Sequence, residues 1–239
     1  MSEPQELAAQ VIVIAKEPVP GRVKTRLTPP FTPGGAALLA EAALADTLAA
    51  VAATPVTRRV LALDGTPGPW LPPGFDVIAQ RGDGLDERLA AAFGDAHAAA
   101  GLPMVLIGMD TPQVTPELLT AAAQPLVSGE VDATFGPAAD GGFWLLGLRT
   151  PAPALLRGVP MSRDDTGRRQ LERLMAAGLR VRMVPELTDV DTFRDAERIA
   201  GAISGSRFAA TFNFAVAGLA AMAAANGQAT GPSTVTSVP

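Results

Sequence analysis

Short apolar runs alternate along the chain with stretches that carry helix start and stop signals. That alternation constrains the fold more than any single motif. Residues 11–15, 60–63, 77–79, 104–108, 131–135, 143–148 and 179–184 read as strands. Thr32-Pro33 and Thr115-Pro116 each set a capping hydroxyl ahead of a proline at the first helical position. Leu85, Leu89 and Phe93 line one face of another helix, and Gly178 stops one that runs from about Ser162. Thr192 with Asp195 resembles a capping box. Strands and helices in alternation predict an α/β fold, a mostly parallel sheet covered by helices on both faces. The 239 residues contain no internal repeat and no linker between two cores, so one domain is expected.

In open α/β sheets, ligands bind outside the carboxyl ends of the strands, so the residues behind each strand are the ones to inspect. Behind the first strand the sequence runs A-K-E-P-V-P-G-R-V-K-T-R-L, which collects Lys16, Arg22, Lys24 and Arg26 in a chain whose net charge is −5. Gly21 permits backbone conformations that other residues avoid, and Pro18 and Pro20 stiffen the loop. The loop reads as a polyphosphate cradle or as a solvated basic loop, and it lacks the G-x-x-x-x-G-K-[ST] of a P-loop. The buried-strand pattern M-V-L-I-G-M-D-T-P ends in Asp110, a ligand for Mg2+ or Mn2+ or else a turn former. T-D-V-D-T supplies Asp189 and Asp191, whose i, i+2 spacing puts both carboxylates on one side of an extended segment. The alternative role for them is to start the following helix.

Weaker candidates complete the set. G-P-A-A-D-G-G-F-W-L-L-G holds Asp140, Gly141 and Gly142, a hairpin signal or a loop open to a ligand. Q-R-G-D-G-L-D-E-R offers Gln80 to a base edge and Arg88 to a phosphate, or simply begins a helix. His97 continues the Leu85–Leu89–Phe93 face and reads as packed, and residues 163–169 read as a solvated helix face.

Composition removes several chemistries. There is no cysteine, which excludes disulfides, thiolate metal sites and a cysteine nucleophile, and no G-x-S-x-G supports acyl transfer. The acidic balance argues against a nucleic-acid-binding surface. Residues 1–10 read as a flexible N-terminus without the apolar core of a secretory signal, so a cytoplasmic protein is expected. Residues 207–226 form an Ala-rich helix with Phe208, Phe212, Val216, Leu219 and Met222 on one face. This pattern suits a packed or partner-binding helix, a surface for homo-oligomer assembly, rather than a membrane span. Residues 227–239 read as a disordered tail.

Together, A-K-E-P-V-P-G-R-V-K-T-R-L, I-G-M-D-T-P, P-A-A-D-G-G-F-W-L-L-G and D-V-D-T resemble the DUF2064 family over roughly residues 11–200. That family is similar to nucleotide-diphospho-sugar transferases of the GT-A fold, and K-T-R-L also looks like guanylyltransferases of coenzyme F420 biosynthesis. The resemblance implies a GT-A-like, Rossmann-like three-layer fold with a mostly parallel mixed sheet. It implies phosphate contacts from Lys16, Lys24 and Arg26, and metal or substrate contacts from Asp110, Asp140 and Asp191. Gly141, Gly142 and Ser162 fall on the expected substrate side. Thr111, Phe143 and Met161 depart from the family pattern, which often has cysteine, tyrosine and tryptophan there. The expected activities are nucleotidyl transfer from a nucleoside triphosphate to a small phosphorylated or acidic acceptor, or glycosyl transfer from a nucleotide sugar. A non-catalytic nucleotide-binding protein is the third reading.

Overall fold

The computed structural model describes residues 6–228. Seven strands form one sheet in the order β3-β2-β1-β4-β6-β5-β7. They are β1 (Leu7–Lys16), β2 (Val56–Asp64), β3 (Asp76–Ala79), β4 (Met104–Gly108), β5 (Ala133–Pro137), β6 (Phe143–Leu148) and β7 (Val181–Met183). The helices between and after them are α1 (Pro33–Ala53), α2 (Leu85–Ala100), α3 (Pro116–Val127), α4 (Pro153–Leu156), α5 (Thr166–Ala176), α6 (Phe193–Ala202) and α7 (Arg207–Gln228). Only β6 runs antiparallel to its neighbours, because a short hairpin over residues 138–142 returns it beside β5. The ends of β1, β2, β3, β4, β5 and β7 therefore face the same edge of the sheet.

The predicted helix caps are present. The Thr32 hydroxyl accepts from Gly35 N and the Thr115 hydroxyl from Leu118 N, each ahead of a proline in the first turn. Thr192 and Asp195 form a reciprocal capping box on α6. β1 begins at Leu7, inside the stretch expected to be flexible, since Leu7 pairs with Val56 and Gln10 is fully buried. β2 likewise starts earlier than its apolar run. Arg58 and Arg59 hide that start in the sequence, yet both donate inward: Arg58 Nη1 to Gln10 Oε1 at 2.9 Å, and Arg59 Nη2 to the Thr54 carbonyl at 2.8 Å. The tail expected at residues 227–239 lies, from residue 229 on, outside the described residues.

Two apolar layers cover the sheet and a third lies outside α1. One face packs Leu44, Leu48 and Val51 of α1 and Leu119 and Leu126 of α3. The opposite face packs Leu89 and Phe93 of α2 with Leu174 of α5. On its outer side α1 meets α6 and α7, where Phe208 is fully buried and Phe212 nearly so. Burying a phenylalanine of this kind stabilises by about 1.5–3 kcal/mol. Coverage on both sides explains why α1 is apolar all round. By length and composition alone α1 could cross a membrane, but 61% of that stretch is buried inside the fold. Along α7 the expected face holds as far as Leu219, whereas Met222 is exposed.

Candidate active site

A cleft of about 870 Å³ opens at the sheet edge where β1, β3 and β4 end. One wall comes from the loop behind β1: Lys16, Arg22, Lys24, Thr25 and Arg26 all line it. Gly21 makes the turn with φ +78° and stands outside the lining. Lys24 adopts the left-handed conformation, with φ 46° and ψ 40°, immediately before a 3-10 turn over Thr25–Leu27. Leu27 is fully buried, so the turn is pinned to the core while Lys24 and Arg26 stay at the cleft. Among the described residues, Lys24 and Ser162 are the non-glycine positions with positive φ, and both line this cleft. Left-handed backbone at a non-glycine residue costs free energy and concentrates at functional sites.

The acidic wall is built by two loops tied together. Val190 N donates to the Asp110 carbonyl at 2.9 Å, which fastens the segment behind β7 to the segment behind β4. Gln113 Nε2 to the Thr188 carbonyl at 2.6 Å and Trp144 Nε1 to the Pro185 carbonyl at 3.0 Å hold the same segment from either side. Val190 is buried in the core at a bend of the chain, and its neighbours Asp189 and Asp191 both line the cleft. Both carboxylates reach the cleft, although the chain bends between them instead of running extended as expected.

Lys24 joins the two walls. Its Nζ lies 3.0 Å from Asp110 Oδ1 and 3.3 Å from Asp191 Oδ1, and its side chain is only 8% exposed. Arg26 Nη1 reaches the other Asp191 oxygen at 3.2 Å. Burial alone would pull the Lys24 ammonium down, but Asp110 and Asp191 outweigh it and hold the group above its ordinary range. Burial, reinforced by the charges of Asp110 and Asp140, pushes the Asp189 carboxyl up to about 7 against an opposing pull from Lys24. Asp189 Oδ1 is buried without a hydrogen-bond partner.

The expected metal set was Asp110, Asp189 and Asp191. Among the described residues, no three acidic or histidine side chains are arranged to hold a metal ion. Between Asp110 and Asp191 the shared cation is Lys24. The donor chemistry nevertheless suits a hard cation: every group is a carboxylate oxygen, two already share one positive charge, and a third has an unpartnered buried oxygen.

On the far wall the structure gives Gly141 a different task from the one expected. A Cβ at Gly141 would run into the Asp164 carbonyl, and one at Gly167 into that of Gly142. Gly167 N donates to the Gly141 carbonyl at 2.8 Å. The hairpin loop is thus pressed against the start of α5, and the close backbone approach is by the chain itself. Gly142 and Asp140 line the cleft and Gly141 does not. Asp140 Oδ1 accepts from Gly142 N at 2.8 Å, a local turn bond. Ser162, Arg163 and Asp164 also line the cleft, although the run 163–169 read as a solvated face. Thr166 sets their course, accepting from Arg163 N at 3.1 Å and donating to the Pro160 carbonyl at 2.8 Å.

Gln80 and Arg88 line the cleft as well, with most of their groups engaged. Gln80 Nε2 donates to the carbonyls of Ala15 and Ala62 at 2.7 and 2.9 Å, bridging the ends of β1 and β2. Arg88 Nη1 pairs with Asp64 at 2.9 Å. Lys16 and Arg22 carry no ion pair among the described residues and are the free cations of the basic wall. His97 is not among the lining residues.

A comparison with known families matches residues 39–163, just over half of the chain, to the family described as "Uncharacterized protein conserved in bacteria (DUF2064)". The chain belongs to the DUF2064 family. A search of the curated proteins found no match. Among solved structures, this DUF2064 member is similar to a candidate nucleotide-diphospho-sugar transferase from Desulfovibrio desulfuricans G20. The TM-score is 0.80 at 28% identity, covering 88% of this chain and 96% of that one. It also shares its fold with the CMP:2-keto-3-deoxy-manno-octonic acid synthetase complexed with CTP. There the TM-score is 0.53 at 14% identity, covering 83% and 99% of the two chains. The architecture is that of nucleotide-utilising transferases.

Proposed function

We propose that this protein is a metal-dependent nucleotidyltransferase that couples a nucleoside triphosphate to a small phosphorylated or acidic acceptor and releases pyrophosphate. The observation that carries the reading is the pairing of walls: one loop places Lys16, Arg22, Lys24 and Arg26 on the cleft opposite Asp110, Asp189 and Asp191. A triphosphate concentrates negative charge that such a loop neutralises, and phosphoryl chemistry of this kind needs positioning and charge stabilisation rather than a protein nucleophile. Lys16 and Arg22 meet the incoming phosphates first, carrying no ion pair among the described residues. Lys24 and Arg26 stabilise charge as it develops on the departing pyrophosphate. Asp110 and Asp191 are the groups that would hold Mg2+ or Mn2+, with Asp189 behind them, and the ion would supply charge neutralisation between phosphates. Asp140, Gly142 and Ser162 belong to the acceptor side, with Arg163 to attract an acidic group. Gln80 Oε1, held only by a long 3.5 Å contact from Arg88 Nη1, is the group that would turn to a base edge.

Glycosyl transfer from a nucleotide sugar is the second reading. The likeness to the Desulfovibrio protein, by its description a candidate nucleotide-diphospho-sugar transferase, favours it. Pyrophosphate release separates the two. Each nucleoside triphosphate is incubated with Mg2+ and pools of phosphorylated and carboxylic small molecules. Acceptor-dependent pyrophosphate supports nucleotidyl transfer. Nucleoside diphosphate released only from nucleotide sugars supports glycosyl transfer.

A further inference from the structure

The chain has two lysines, Lys16 and Lys24, and both stand in the loop behind β1; its other permanently charged cations are arginines. The two lysines differ in one respect. Lys16 is exposed at the rim, whereas Lys24 is buried between Asp110 and Asp191. We propose that Lys24 is a built-in counter-ion that occupies the carboxylate pair in the nucleotide-free protein. A divalent cation must displace it, which hands its ammonium to the phosphates of the nucleotide.

Occupancy of individual oxygens sets up the competition. Asp191 presents Oδ1 to Lys24 and Oδ2 to Arg26, so both of its oxygens are engaged. Asp110 gives Oδ1 to the same ammonium. A further cation shared by Asp110 and Asp191 therefore competes with Lys24 for the same atoms. The two competitors also repel each other in a poorly solvated site. Arg26 is a weak competitor, because its side chain is 72% exposed and its pairing is screened by solvent. Lys24 is the strong one.

A buried ammonium stripped of its partners is costly, so metal alone displaces it only at high concentration. Phosphate oxygens drawn in by Lys16 and Arg22 on the same loop remove that cost. The device thus keeps the acidic wall neutralised until nucleotide arrives, and it couples metal binding to nucleotide binding reciprocally. Lys24 holds this position from a left-handed backbone, with its side chain reaching both carboxylates of the opposite wall.

The proposal rests on the reading of Asp110 and Asp191 as cation-holding groups, and its test needs neither nucleotide nor turnover. Binding of Mn2+ alone is measured calorimetrically for wild type, Lys24→Met, Lys24→Gln and Arg26→Met. Both Lys24 variants are expected to bind Mn2+ tighter than wild type by on the order of tenfold, and Arg26→Met to change it much less. Equal or weaker binding by folded Lys24 variants overturns the proposal while leaving the metal reading intact. No Mn2+ binding by any of the four proteins overturns both. Should the variants fail to fold, the wild-type protein answers through its lysine ammonium NMR signals, assigned with Lys16→Arg. Saturating Mg2+ is expected to abolish the protected Lys24 signal, and an unchanged signal at saturation contradicts the proposal.

Discussion

Gly141 lies so close beneath the Asp164 carbonyl that no side chain fits between the hairpin loop and the start of α5. Its φ of +89° adds the left-handed preference of glycine to that lack of space. Gly141→Ala is expected to destabilise beyond the roughly 1–2 kcal/mol of left-handed strain alone. Gly158→Ala is the control, at φ +76° with nothing near its Cβ position. Urea unfolding of both variants checks this, and equal costs would show that the contact does not matter.

Asp46 of α1 caps α7 from outside that helix. Its carboxylate accepts from Arg207 N at 3.2 Å and from Phe208 N at 2.8 Å. Asp46→Ala is expected to cost about 0.5–2 kcal/mol, the range for losing an N-terminal cap. Hydrogen exchange should quicken first at residues 207–212, and faster exchange confined to α1 would assign Asp46 another role.

Asp132 and Arg180 clamp the start of β5 to the turn before β7. Arg180 N and Nε donate to Asp132 Oδ2 at 3.0 and 2.9 Å, and Nη2 donates to Oδ1 at 3.0 Å. These bonds from Arg180 hold the Asp132 carboxyl down at about 2, below its ordinary 3.8. A depressed carboxyl stabilises the fold above the unfolded-state value, and that contribution disappears as pH falls through the folded one. The stability gap between wild type and Asp132→Asn should therefore be constant above about pH 5 and close between about pH 4 and pH 2. Denaturant midpoints across that range read it directly, and a gap that does not change with pH contradicts the assignment.

The alternation of apolar runs and helix signals made the layers legible, and the caps at Thr32, Thr115 and Thr192 follow from local chemistry alone. Strand starts were less legible where arginines sit in a strand and send their side chains inward, as Arg58 and Arg59 do. At the site, the cation loop and the aspartates stood out because residue type and strand-end position coincide. The roles of Gly141 and of residues 162–164 did not, because they depend on a contact between segments more than twenty residues apart in sequence. Nor could spacing show that Lys24 fills the gap between Asp110 and Asp191, since that follows from how the turn at Thr25–Leu27 is anchored.

The most direct test of the central claim is a thermal-shift panel of nucleoside triphosphates and nucleotide sugars, with and without Mg2+, on wild type and Asp110→Asn. Stabilisation follows affinity by mass action, about 2.7 kcal/mol at a hundredfold excess over Kd. A triphosphate is expected to give the largest shift in wild type, with Mg2+ required and the shift abolished in Asp110→Asn. No shift with any triphosphate, or an equal shift in Asp110→Asn, would contradict the claim.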